Sequence, residues 1–364
     1  MHPALGGMLN IFRLFILRSI YILSEDGIFS EIFPLAYTGD RSVANLRKYI
    51  LDNCATLAIE AFPERDNPKK RVFESVKMSV CILILRKTIT NNQFFVRINR
   101  DRFVDEVAEK SYLNKNMITT IDKRYLTIPL TSEKETKLLT KVFSKTQRFY
   151  DIGKCNTGEI DMTFFKSCFT PDSRKAKLYK GAIIDRYVLR DTMSQGEIVF
   201  LDEKKLSKIR SSINSSLKST ERIVLQGITG VNEKTRLKMM IVNNGYCANS
   251  LNYLQLNQDI SLKYLLGIFN SKLPNFVFSK FSTNSNVNGY EIDNLPVPNN
   301  ITQEEQTPVI ELVAQILDFT KDEDYLENPQ KQANVQALER EIDQLVYQLY
   351  GLTEEERRIV EEEK

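Results

Sequence analysis

Histidine is all but absent from this chain of 364 residues: His2 is the only one, and tryptophan does not occur at all. A His-based metal cluster or a Ser–His–Asp triad therefore cannot be assembled from the body of the chain. The five cysteines, Cys54, Cys81, Cys155, Cys168 and Cys247, are odd in number and contain no C-x-x-C pair. That pattern argues against a disulfide scaffold and against a zinc finger, and it predicts free thiols in a reducing, cytoplasmic setting. Long apolar runs are missing too. The best stretch, Ile11–Leu23, is broken by Arg13 and Arg18 and is too short and too charged to span a bilayer, so no membrane partner is expected. No glycine-rich loop follows a strand-like run. Gly6–Gly7 precedes a helical pattern with no strand before it, which reads as a flexible lead-in.

What is present is enough for a globular protein. Hydrophobic residues make up 42% and charged residues 27%, which permits a core and excludes global disorder. The length suits two or three domains. The net charge of +3 conceals a division. Residues 301–364 hold 17 acidic and 6 basic side chains, a balance of −11, which leaves 44 basic and 30 acidic, or +14, in residues 1–300. A basic body suits an anionic partner, nucleic acid first, although surface lysine kept for solubility reads the same way.

Periodicity organises the chain. Leu9, Phe12, Phe15, Ile16, Ile20 and Leu23 predict a helix over 9–23, and Ile28–Phe33 a short strand. A second helix is expected over Ser42–Leu51, with Leu46 and Ile50 inward and Arg47 and Lys48 outward. Leu57–Phe62 and the β-branched Val76–Leu85 read as strands. This is the order of an α/β sheet edge. Residues 150–300 are richer in short strands, with candidates at Ile183–Tyr187, Ile198–Phe200, Ile223–Gln226, Met239–Val242 and Leu251–Leu256. A helix is expected over Leu262–Leu273, ended by Pro274, and further helices over 301–319 and 335–350. Gly351 should cap the latter, and Thr353 with Glu356 forms a capping box for a last short helix.

Few constellations carry chemistry. In Gly158-Glu159-Ile160-Asp161 the two acids share a side if extended, which fits a metal-binding or hydrolytic pair and equally fits a solvated turn. The Ser211–Ser219 run reads as a flexible polar loop. Ser282, Thr283, Asn284, Ser285, Asn286 and Asn288 offer a dense set of short donors and acceptors suited to phosphate oxygens and base edges, with Lys272 and Lys280 close by. A polar loop pinned by Phe276, Phe278, Phe281 and Tyr290 explains the same residues. Basic groups recur at Arg174, Lys175, Lys177, Lys180, Arg186 and Arg190, then at Arg222, Lys234, Arg236 and Lys238. Gathered on one face they would form an electrostatic footprint; singly they are solvated charges.

Several stretches together resemble the C-terminal half of an adenine-specific, γ-class DNA methyltransferase of the fused restriction–modification (type IIG) kind, with a TaqI-like target-recognition domain. LSEDGIFSEIFPLAYTGDRSVANLRKYIL resembles the part of a methyltransferase domain that follows its catalytic loop, and VFESVKMSVCILILRK a late strand of the same sheet. GEIDMTFF, KLYKGAIIDRY and RIVLQGIT resemble pieces of the recognition domain. YLLGIFNSKLPNFVFSKFSTNSNVNGYEIDNLPVP is the most specific match, and LEREIDQLVYQLYGLTEEERRIVEE resembles the helical end. The resemblance implies an α/β fold: the trailing part of a doubly wound methyltransferase sheet over 1–110, a mixed α+β recognition domain over 111–300 and helices over 301–364.

It also implies a partner, double-stranded DNA. The DNA-facing residues expected from it are Lys180, Arg186, Arg222, Lys234, Arg236, Lys272, Lys280 and the loop of Ser282, Thr283, Asn284, Ser285, Asn286 and Asn288. The family's Asn/Asp-Pro-Pro-Tyr/Phe motif does not occur in these residues, nor does its S-adenosylmethionine loop. Without an acceptor and an aromatic to hold a flipped adenine, no autonomous methyl transfer is expected. S-adenosylmethionine is implied only for a complete enzyme. Two further readings are a split methyltransferase subunit active with an N-terminal partner chain, and a non-enzymatic interaction module of a defence complex.

Overall fold

The computed structural model describes residues 3–4, 10–89, 93–190, 198–209, 216–230, 233–282, 285–299 and 302–362. Gly6–Gly7 and the Ser211–Ser215 part of the serine run lie outside them. The chain forms two compact units, Met1–Lys145 with Lys280–Thr283, and Thr146–Ser279 with Asn284–Lys364. Both mix helices with sheets, so the architecture is mixed α/β.

The first unit is built on a five-stranded sheet. Its strands are β1 (Ile28–Pro34), β2 (Ala55–Phe62), β3 (Val80–Arg86), β4 (Phe94–Ile98) and β5 (Lys110–Leu113), in the spatial order β1-β3-β2-β4-β5. β3 runs antiparallel between β1 and β2, and β2 pairs in parallel with β4. β1, β2 and β4 therefore share one direction. Strands of one direction need a crossover, and the Ala44–Asn53 helix lies on the path from β1 to β2. β2 is buried at nearly every position, as a central strand covered on both faces should be.

The helix expected over 9–23 is Phe12–Ile22, with Ile16, Leu17 and Ile20 inward. One arginine departs from the sequence reading, and a second shares its role. Arg47, expected outward, is fully buried: its Nη1 donates to the Tyr37 carbonyl at 2.7 Å and its Nη2 to the Tyr125 carbonyl at 2.7 Å. Arg13 is likewise buried and donates to the Ser42 carbonyl. Carbonyls that leave regular structure need donors, and a long guanidinium delivers several from one position. A helical wheel places both on the apolar side, and only their charge argues for solvent.

In the second unit, one antiparallel sheet runs in the order Met239–Val242, Arg222–Gln226, Leu251–Leu256, Gly153–Thr157. Another runs Gly245–Cys247, Ala176–Tyr179, Phe200–Leu201, Phe169–Thr170, with its first pair parallel. The strand expected over Ile183–Tyr187 is instead part of a hairpin: Ile184–Asp185 pairs with Val188–Leu189 about a turn in which Tyr187 takes a φ of 58°. The helix expected over Leu262–Leu273 is two, Leu262–Asn270 and Lys272–Phe281, broken at an extended Ser271. Pro274 does not stop a helix here. It sits in the first turn of the second one, where an N–H has no intrahelical partner to lose.

The acidic C-terminal region forms the helices Gln303–Thr320, Pro329–Leu349 and Glu354–Glu361. Gly351 has a φ of 64°, and Thr353 and Glu356 close the expected capping box. All five cysteines are buried and unpaired. Among the described residues no helix is long and apolar enough to cross a membrane.

Candidate nucleic-acid interface

The cations expected to face DNA do not share one environment. Arg222 opens its strand but is only 3% exposed. Its Nη2 meets Glu159 Oε1 at 2.7 Å, its Nη1 meets Oε2 at 3.2 Å, and Nη2 also donates to the Gly245 carbonyl. The guanidinium lies 4.6 Å from the Tyr253 ring centroid. Glu159 accepts a further bond from the Cys247 N–H at 3.0 Å. Burial alone would push the Arg222 pKa down; the hydrogen-bonded Glu159 carboxylate overrides it and holds the group charged. A buried pair is tolerable only with further hydrogen bonds around it, and here the Gly245 carbonyl and the Cys247 N–H supply them. Gly158 makes the approach possible, since a Cβ there would fall 2.1 Å from the Ala248 carbonyl oxygen.

Arg236 is also 3% exposed. It stacks over Phe278 at 5.0 Å, and its Nε lies 3.3 Å from Thr229 Oγ1. Burial lowers its pKa. The backbone around it is clamped by one side chain. Asn275 Oδ1 accepts from the Arg236 and Leu237 N–H groups at 2.7 and 3.1 Å, and its Nδ2 donates to the Lys234 carbonyl at 2.7 Å. Asn270 does the same for Met239, accepting from its N–H and donating to its C=O, each at 3.0 Å. The Lys234 side chain is exposed, and Lys180 is partly so.

Arg186 and Lys272 meet the acidic C-terminal helices. Arg186 Nη2 pairs with Glu339 at 3.1 Å and donates to the Asn270 carbonyl at 2.8 Å. Asp343 accepts from the Lys272 N–H at 2.8 Å, and the ammonium sits 3.7 Å from Asp343 and 3.8 Å from Glu361. Burial raises the pKa of Glu339 and of Asp343, with the neighbouring cations pulling the other way. Lys280 pairs with Glu135 at 2.9 Å inside the first unit.

In the polar loop, Ser282 is buried, Ser285 and Asn288 are partly exposed and Asn286 is exposed. The Ser285 carbonyl accepts from Thr229 N–H at 2.9 Å, and Asn286 bridges Ile228. Asn288 is an N-cap, with a capping box to Glu291. Thr283 and Asn284 lie outside the described residues. Glu159 and Asp161 do not form a pair: Glu159 holds Arg222, and Asp161 accepts from the N–H groups of Thr163 and Phe164. Among the described residues no group of His, Cys, Asp and Glu could hold a metal ion.

The sequence reading passed over a different set. Lys166, Lys204, Lys205 and Lys208 are exposed, as is Lys177, which had stood out only within a diffuse basic run. They occur around one small core built on Ile160, Phe165, Cys168, Leu178, Leu201 and Leu206. The signal was the Glu203–Ile209 helix, EKKLSKI, in which Leu206 alone is buried.

No protein-family model matches this chain, and no curated protein does. Solved structures match. The type IIL restriction–modification enzyme MmeI in complex with DNA is 11% identical, with a TM-score of 0.54 over 90% of this chain and 47% of that one. The DrdV–DNA complex is 10% identical with a TM-score of 0.41, covering 88% of this chain and 42% of that one. A nuclease-deletion mutant of the type ISP enzyme LlaGI, in complex with a DNA substrate mimic, is 11% identical with a TM-score of 0.40, covering 85% and 36%. The chain thus shares a fold with a restriction–modification enzyme, MmeI, and spans about half of that chain's length.

Proposed function

We propose that this chain is the DNA target-recognition part of a restriction–modification enzyme and binds duplex DNA. The observation that carries the reading is the fold shared over 90% of the chain with a DNA-bound restriction–modification enzyme. The charge of +14 across residues 1–300 supports it, because cations facing a polyphosphate supply affinity whatever the base sequence. The sequence stretches quoted above support a finer assignment: an adenine-specific methyltransferase with a TaqI-like recognition domain, divided near residues 110 and 300. The described glycines of the first unit, Gly27 and Gly39, form no glycine-rich turn between a strand and a helix. This reading assigns S-adenosylmethionine to a complete enzyme and gives these residues no step in methyl transfer.

The test is fluorescence anisotropy with a duplex pool of random sequence, followed by selection of the bound fraction. Binding should weaken linearly in log Kd against log salt, and selection should enrich a short common motif. Absence of binding at about 50 mM salt, where phosphate contacts are strongest, overturns the proposal.

A second reading is a split methyltransferase subunit, and one observation favours it. β1 is an edge strand with Ile28 59% and Ile32 38% exposed, and the nearby Phe12–Ile22 helix leaves Phe15 and Ile22 outward. Exposed edges and apolar patches of this kind invite another α/β element. Methyl transfer from labelled S-adenosylmethionine to duplex DNA, seen only on mixing with a methyltransferase chain, would establish it.

A further inference from the structure

Electrostatic binding needs cations that the fold has not already neutralised. The lobe formed by residues 161–179 and 199–209 contains seven basic and four acidic side chains. All four acids are engaged. Asp161 caps the Thr163–Phe164 turn and accepts from Asn249 at 3.2 Å. Asp172 pairs with Arg174, Asp202 with Lys175, and Glu203 with Lys218. Lys166, Lys177, Lys204, Lys205 and Lys208 make no ion pair among the described residues. The Glu203–Ile209 helix packs on the Lys166–Cys168 turn. Leu206 points into the lobe's core, and Lys204, Lys205 and Lys208 remain in solvent.

One apolar side chain stands out among these lysines. Phe164 is 67% exposed, two residues from Lys166. The Asp161 carboxylate fixes its backbone N–H at 2.8 Å, and it rests edge-on against Phe165 with ring centroids 4.8 Å apart. It is held outward by a capped turn, an arrangement that costs solvation of a large apolar ring unless something covers it. Apolar wedges beside phosphate-binding cations suit a nucleic-acid duplex, where a ring meets sugar or a base step.

We infer that this lobe is the duplex DNA contact surface, with Lys166, Lys204, Lys205 and Lys208 on the phosphates and Phe164 as the apolar probe; Lys177 alternates with the core residues Ala176 and Leu178 and points off the opposite face of its strand. The inference rests on the DNA-binding reading above and relocates its contacts. Arg222 and Arg236, the two most enclosed of the sequence-predicted cations, hold the fold together.

Full-length chain carrying K204Q/K205Q/K208Q, and separately F164A, is titrated with duplex DNA across a salt series by anisotropy. Each lost phosphate contact removes about 0.9 from the slope of log K against log salt, so the triple variant should lose between about 2 and 3. F164A should weaken binding several-fold with the slope unchanged. Superimposable thermal melts by circular dichroism establish that the variants fold, K166Q tests the same slope from the turn beside the helix, and K177Q should leave it unchanged. A triple variant with wild-type slope and affinity overturns the lysine surface while leaving DNA binding standing. F164A at wild-type affinity overturns the role of the ring. Absence of binding by the unmodified chain at about 50 mM salt overturns this inference together with the reading it rests on.

Discussion

The second unit contains two kinds of basic residue, and the contrast between them is instructive. Around Glu159 and Asn275, the arginines are enclosed, and those two side chains tie down the backbone beside them. Around Leu206, the lysines stand in solvent and it is the acids that are engaged. A count of charges along the chain treats the two neighbourhoods alike. The difference lies in pairing, and pairing decides which cations remain to attract an anion. The body's +14 therefore overstates its footprint, because Arg186 and Lys272 are met by the acidic helices of the same chain.

The largest way to break this comparison is Glu159→Ala. It strands a buried guanidinium, which should cost about 3–5 kcal/mol and show as a lower urea midpoint at an unchanged m-value. A loss below about 1 kcal/mol would mean that Arg222 relaxes into solvent. Asn275→Ala comes next. It leaves two N–H groups and a carbonyl without their partner, and a loss of about 2–3 kcal/mol is expected by the same measurement.

Acidity probes the junction with the C-terminal helices. Folded Glu339 and Asp343 have pKa values above their ordinary 4.5 and 3.8, so the folded state binds protons more tightly than the unfolded one. Their contribution to stability is fully present below the unfolded values and is lost as pH rises through the folded ones. Glu339→Gln with Asp343→Asn should flatten that decline from about pH 4 upward in a stability–pH profile. Smallest of all should be the effect on stability of K204Q/K205Q/K208Q, within about 0.5 kcal/mol per site, because exposed unpaired lysines hold nothing in place. A larger loss would move these lysines into the enclosed class.

Much of the fold was legible along the chain. The periodicity of Phe12–Ile22, the β-branched run ending in β3, the strand Leu251–Leu256, and the Thr353–Glu356 capping box all announce themselves in the pattern of a few consecutive residues, which pattern reading captures. Failures came where a local rule met a distant partner. Pro274 was read as a stop because the Ser271 break, which places it in a first turn, leaves no strong local mark. Arg47 was placed outward because nothing near it signals the Tyr125 carbonyl, 78 residues away.

The candidate site follows the same division. Charge asymmetry, the free thiols and the absence of a histidine-based centre belong to the amino-acid sequence alone, being matters of composition. Which cations are left over was decided by tertiary structure. Arg222 finds Glu159 across 63 residues, and Lys272 finds Asp343 across 71. Lys204, Lys205 and Lys208 find no acid at all among the described residues. An ion pair depends on separation in space and on the water excluded around it, and folding sets both.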